Sequence, residues 1–190
     1  MQKENDLANL GPLQHLVGIW EGEKGIDQSP NHDRRVSGQT VFRERMEFEP
    51  TGRVQNHQQM LYGLRYKTTA WPIGAEKPFH EELGYWLWDH HAKTIIRCFI
   101  IPRGVTIIAG GRVEVDARTW RLTANLGSPT HGICSNEFLH KEFRTERYEL
   151  VIKLEEPDQL SYSENTMLRI KDNPKIFNHT DSNSLERVRR

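Results

Sequence analysis

The sequence predicts an all-β protein: an antiparallel, up-and-down β-barrel of about ten strands with a short N-terminal helix. Three observations carry that reading. Polar and apolar residues alternate one by one through most of the chain, which is the period of a half-buried strand. The alternating segments are short and are separated by turn signals such as Asp89-His90-His91, Pro102-Arg103-Gly104, Glu156-Pro157-Asp158 and Asp172-Asn173-Pro174. Long helical periodicity is absent. A closed barrel removes the edges that so many strands would otherwise expose, and about ten strands leave room for a ligand inside.

In chain order, residues 1–9 read as a frayed, flexible terminus and residues 10–190 as a single barrel domain. Leu10, Leu13 and Leu16 recur at helical spacing around Pro12, so a short helix is expected before Gly18. Strands follow at Gly18–Gly25, Val41–Glu49, Val54–Tyr66, Glu81–Asp89, Lys93–Ile101, Val105–Val115 and Thr119–Leu126. Arg144–Leu154, Leu160–Ile170 and Ile176–Val188 complete the set. Gly110-Gly111 reads as a turn or bulge. Two longer loops are expected, Ile26–Gly38 and Gly127–Glu142, the second carrying a short helix over a barrel mouth.

The last strand carries unusual chemistry. One face reads Phe177, His179, Asp181, Asn183, Leu185; the other reads Asn178, Thr180, Ser182, Ser184, Glu186. The apolar Phe177 and Leu185 mark the first face as inward, so His179, Asp181 and Asn183 travel inward with them. The same face reading places Glu44, Gln58, His80, Glu82, Tyr162 and Glu164 inside. A solid core rarely carries so many ionisable groups, whereas a cavity holding a ligand can satisfy them.

Composition narrows the function classes. The chain has 190 residues with 26 basic and 26 acidic side chains, so no basic surplus points to nucleic acid or an anionic membrane surface. No run of about 20 apolar residues exists. The N-terminus lacks the apolar stretch of a signal peptide, and a cytoplasmic location is the default expectation. The two cysteines are too few for a thiolate zinc site, and Cys98, between Ile96 and Ile100, reads as a buried small hydrophobe. No nucleophile elbow, phosphate loop or zinc spacing appears.

Several segments together resemble the nitrobindin family of heme-binding, fatty-acid-binding-protein-like barrels. Gly18-Ile19-Trp20-Glu21-Gly22 resembles its G-x-W-x-G opening, and His80-Glu81-Glu82-Leu83-Gly84-Tyr85-Trp86 its H-x-E-x-G-Y-W segment. Ile101-Pro102-Arg103-Gly104-Val105 resembles the hairpin that follows. Leu160-Ser161-Tyr162 and Leu185-Glu186-Arg187 match the closing strands. The motifs run in family order over residues 10–188, with Lys24 standing where the family commonly has glycine. The resemblance implies a ten-stranded barrel, a ferric b-type heme in its mouth, a histidine ligand on the last strand, nitric oxide binding and peroxynitrite conversion to nitrate. His179 is the histidine on that strand; counting back from Leu185 without a gap puts the family position at Thr180. The expected cofactor-binding set is His179, with His80 on the distal side, Trp20 and Trp86 as flanking aromatics, and Tyr162, Glu164, Thr180 and Asp181. His179 is the expected metal ligand.

Two other classes compete. One is a heme-free carrier of an amphipathic or fatty-acid-like ligand, gripped by Glu44, Tyr162, Glu164 and Asp181. The other is a cofactor-free enzyme using a glutamate and a histidine as acid and base. In either case the partner is a small molecule in the barrel, and a homodimer is compatible with the sequence.

Overall fold

The structure is a computed structural model that describes residues 7–31 and 36–188. Eleven strands close into one barrel: β1 (Gly18–Pro30), β2 (Ser37–Asn56), β3 (Gln59–Pro72), β4 (His80–Asp89), β5 (Thr94–Ile101), β6 (Val105–Arg112), β7 (Thr119–Leu126), β8 (Gly132–Ser135), β9 (Phe143–Glu156), β10 (Gln159–Ile170) and β11 (Ile176–Arg187). Around the barrel the order is β1-β11-β10-β9-β7-β8-β6-β5-β4-β3-β2, and β2 returns to β1. The expected closed all-β barrel is present and runs up and down except at β8, so it has eleven strands and mixed pairing rather than about ten strands all antiparallel. The eleventh strand is β8, a four-residue insert that pairs antiparallel with β6 and parallel with β7. It comes from the Gly127–Glu142 loop, which also folds the helix α1 (Glu137–Glu142). Asn136 caps that helix through its side chain, accepting from the Leu139 N–H at 3.0 Å.

One end of the barrel is closed. A 3-10 helix, Gly11–Leu16, seats Leu13 and Leu16, with Leu10 beside them, onto Trp20, Trp88, Trp120 and Leu185. Each leucine is almost fully buried, which stabilises the plug by about 2 kcal/mol apiece. Arg187 ties the plug to the last strand. Its guanidinium lies 4.1 Å over the Trp20 ring, donates to the Val17 and His15 carbonyls, and meets Asp158 at 3.1 Å. Trp20 in turn donates to the Leu16 carbonyl at 2.7 Å.

Four local readings differ from the sequence expectation. The strand β2 runs through Pro50-Thr51-Gly52, which interrupts the register as a bulge rather than ending the strand; the hairpin turn is at His57-Gln58, with His57 at φ 50°. Gln58 is consequently exposed at a turn, and Val54 faces outward. The first half of the expected Ile26–Gly38 loop is strand, because β1 continues to Pro30 between β11 and β2; residues 32–35 of it lie outside the described residues. Gly110-Gly111 is not a turn but the close approach of β6 to β7, where a Cβ on Gly111 would sit 2.0 Å from the Arg121 carbonyl oxygen. Cys98 lies half-buried on the outer face of β5, since Ile95, Arg97 and Phe99 take the inner face.

Gly11 lets the plug sit flush: its φ is +55°, and a Cβ there would fall 2.5 Å from Trp88 Nε1. Gly11→Ala is expected to destabilise the barrel by about 2 kcal/mol, read as a lower urea midpoint with an altered tryptophan emission. An unchanged midpoint would mean that the plug does not seal on Trp88.

Candidate functional site

A cavity of about 260 Å³ occupies the barrel interior. Its wall reaches Pro30 at the end of β1, Phe79 before β4, Arg103 in the β5–β6 turn and Leu139 in α1, so it opens at the end opposite the plug. Phe42, Ala70, Phe143 and Leu168 make that outer part apolar. Phe42 and Phe79 meet edge to face at 5.7 Å.

The middle of the barrel is spanned by Arg97, 5 % exposed, from β5. Its Nη2 reaches Glu82 Oε2 at 2.5 Å and its Nη1 reaches Glu164 Oε2 at 2.9 Å. Its Nε donates to the Tyr66 hydroxyl at 3.1 Å, and Nη1 also donates to the Tyr148 hydroxyl. Both tyrosines pass their own protons on, Tyr66 to Glu82 at 2.9 Å and Tyr148 to Glu164 at 2.6 Å. The guanidinium also lies 4.3 Å from the Phe99 ring centroid. Burial alone would raise Glu82, yet the adjacent Arg97 charge and His80 hold it below the usual carboxylate range. Burial keeps both tyrosine hydroxyls protonated far above their ordinary range.

Beside this network stands Glu44, 5 % exposed, with no salt-bridge partner among the described residues. Tyr162 donates to its Oε2 at 2.9 Å and Asn183 Nδ2 at 3.1 Å. Burial outweighs those donors and pushes the carboxyl up to about 7. Asp181, paired in register with Glu164 on β10 and Asp27 on β1, also lines the cavity. Burial and the neighbouring carboxyls of Glu164, Glu44 and Asp27 push it well above the usual range.

Nearer the opening are two histidines, each about a third exposed. His179 Nε2 lies 2.7 Å from Asp27 Oδ1, and the Ser29 hydroxyl donates to Asp27 Oδ2 at 2.7 Å. His80 Nε2 lies 3.0 Å from Glu82 Oε1; burial works against its charged form, but Glu82 wins and raises it above an ordinary histidine.

The expected site residues thus separate. His179, His80, Tyr162, Glu164, Asp181 and Trp86 line one cavity. Trp20, on β1, is buried against the plug and is not part of that wall. Thr180 faces an outer groove with Gln28 and Ser182. Gln58 is remote in its turn. Face reading missed Arg97, Asp27, Tyr66, Thr68 and Tyr148. Asp27 faces inward because a bulge between Gly22 and Gly25 puts Glu23 and Lys24 both outside and switches the parity of β1. Among the described residues, no three His, Cys, Asp or Glu side chains converge as a metal-ion cluster.

Comparison with known proteins adds the following. The family described as THAP4-like, heme-binding beta-barrel domain matches residues 9–187. A peroxynitrite isomerase of Leifsonia xyli subsp. xyli (strain CTCB07) is 34 % identical over 80 residues, which are 42 % of this chain and 35 % of that protein. The chain therefore matches about a third of the length of that curated relative. The fold superposes on the crystal structure of Rv2717c from M. tuberculosis with a TM-score of 0.68, at 21 % identity, over 95 % of this chain and 98 % of that one.

Two outcomes follow from the geometry. Arg97→Met leaves Glu82 and Glu164 buried without their cation and is expected to cost about 3–5 kcal/mol in urea unfolding. Adding Glu82→Gln and Glu164→Gln should recover part of that loss; strict additivity would mean that the three do not act as one network. For Glu44, the folded carboxyl near 7 holds its proton more tightly than an exposed glutamate near 4.5. Stability is therefore undiminished at low pH, falls as pH rises between those values, and levels off above about 7 at a cost of about 3 kcal/mol. Glu44→Gln keeps the shape and removes the titration. Its melting temperature relative to wild type should rise from about pH 5 to about pH 8; a constant difference would refute the assignment.

Proposed function

The chain belongs to the THAP4-like, heme-binding beta-barrel domain family, and from that premise we propose that it binds heme at the open end of its cavity with His179 as the axial ligand. The observation that carries the reading is the inward imidazole of His179, braced by the buried Asp27 carboxylate that Ser29 holds in turn. A single histidine is the donor number that an iron already held in a macrocycle requires, whereas a bare ion would need a cluster of ligands. A carboxylate on the second ring nitrogen fixes the tautomer and orientation of the imidazole. With the proton on Nε2 donated to Asp27, the other nitrogen is free for the metal. Apolar walls from Phe42, Phe79, Leu139, Phe143 and Leu168 suit a flat aromatic group.

A bound ferric b-type heme would supply nitric oxide binding and peroxynitrite isomerisation, the latter being the activity for which the Leifsonia relative is named. The chain's own residues shape access to it. α1 and Phe79 roof the opening and limit water. His80, held toward its cationic form by Glu82, presents the positive charge that an anion entering this level would meet.

Titration of the protein with hemin is expected to give a Soret band that saturates at one hemin per chain. His179→Ala should abolish it. Asp27→Asn should weaken hemin affinity by about 10–100-fold, as loss of a metal ligand's supporting acceptor typically does. A wild-type titration that gives only the spectrum of free hemin would sink the proposal.

A further inference from the structure

Below the histidines the cavity changes character. Five carboxyl side chains line it: Asp27, Glu44, Glu82, Glu164 and Asp181. The cationic and basic side chains on the same wall are Arg97, Arg103, His80 and His179. Arg97 is closed on Glu82 and Glu164, His80 on Glu82, and His179 on Asp27. Arg103 is exposed in the turn at the rim. Two carboxyls on this wall have no salt bridge among the described residues. Glu44 is hydrogen-bonded only to the neutral donors Tyr162 and Asn183, and His80, closed on Glu82, acts on it without a direct contact. Asp181, half-buried on the same wall, has no hydrogen-bond partner among the described residues. Thr68, 3 % exposed, belongs to the same wall, and its Oγ1 also lacks a partner.

Buried polar groups left unpaired are costly, and uncompensated carboxyls most of all. The group that satisfies this set carries positive charge and several N–H donors. We propose that the deep level of the cavity is a binding site for an organic cation, an alkyl ammonium head on an apolar body. The head donates to Asp181 and Glu44, with the Thr68 hydroxyl as a further acceptor. The body runs outward along Phe42, Phe143 and Leu168. The same charge count disfavours a fatty-acid head, because the one guanidinium at this depth is already shared by two carboxylates and two tyrosines. The site needs neither iron nor the axial histidine. Asp181 is two residues inward from His179, roughly 7 Å along the strand.

The test uses heme-free protein and three probes of equal chain length: octylammonium, octanoate and octanol. Calorimetry at neutral pH is expected to show octylammonium binding at least about tenfold more tightly than the other two. Asp181→Asn and Glu44→Gln, near-isosteric and neutral, should each remove most of that preference while retaining the wild-type circular dichroism. Octanol or octanoate binding as tightly as the amine would overturn the proposal, and so would a preference that survives both variants. Heme binding is judged separately by Soret absorbance, so each assignment can fail without the other.

Discussion

Everything inside this barrel is arranged around one buried guanidinium. Arg97 enters from β5 and contacts side chains from β3, β4, β9 and β10, so it bridges the lumen rather than one pair of neighbouring strands. Removing an arginine and two carboxylates from water costs several kcal/mol per ion, and the mutual attraction offsets this only when the remaining donors and acceptors are also matched. Here they are: two tyrosine hydroxyls accept from the guanidinium and pass their own protons to the same carboxylates. The closed network divides the interior. Toward the plug the barrel is a dry aromatic core with Trp20, Trp88 and Trp120; toward the opening it is a cavity.

That division accounts for the contrast between the two groups of titratable side chains. His80 and His179 stand toward the opening, each matched to a carboxylate on its own or an adjoining strand. Glu44 and Asp181 stand at the level of the network but outside its pairing. A cation placed among four acids lining one cavity is shared by those within reach, and Arg97 reaches only Glu82 and Glu164. The remainder carry the cost of burial as raised proton affinity, which is the direction found for both.

Much of this was legible in the chain. Strict alternation from Phe177 to Leu185 places His179, Asp181 and Asn183 inside because each has an apolar companion on its face, and the structure has the same parity. The β10 and β4 faces follow by the same logic. Arg97 was not legible, because both faces of β5 are otherwise apolar: Ile95, Phe99 and Ile101 on one, Ile96, Cys98 and Ile100 on the other. A charge on such a strand looks like the mark of the outer face. Asp27 was hidden by a parity switch at a bulge, in a segment whose Gln, Ser, Pro and Asn read as loop. Tyr66 stands at the very end of the expected Val54–Tyr66 strand and Thr68 lies beyond it, so neither was reached by the face reading. Bulges absorb turn-like residues without ending a strand, and only the register of the neighbours reveals it.

The bulge on β1 has a further consequence for what the barrel can hold. Gly22 lies opposite Glu44 in register, and a Cβ there would fall 2.3 Å from the Ser184 carbonyl oxygen and 3.1 Å from Asn183 Oδ1. A glycine at this point lets the Glu44 side chain on β2 pass over β1 to Asn183 on β11 and Tyr162 on β10. Five residues later the reversed parity delivers Asp27 to the cavity. One short irregularity therefore accommodates both Asp27, which braces His179, and Glu44. A regular β1 would send Asp27 outward, and His179 would face the cavity without its carboxylate. The parity of a single strand in the hydrogen-bond ladder thus couples the level that suits an iron ligand to the level that suits a cation.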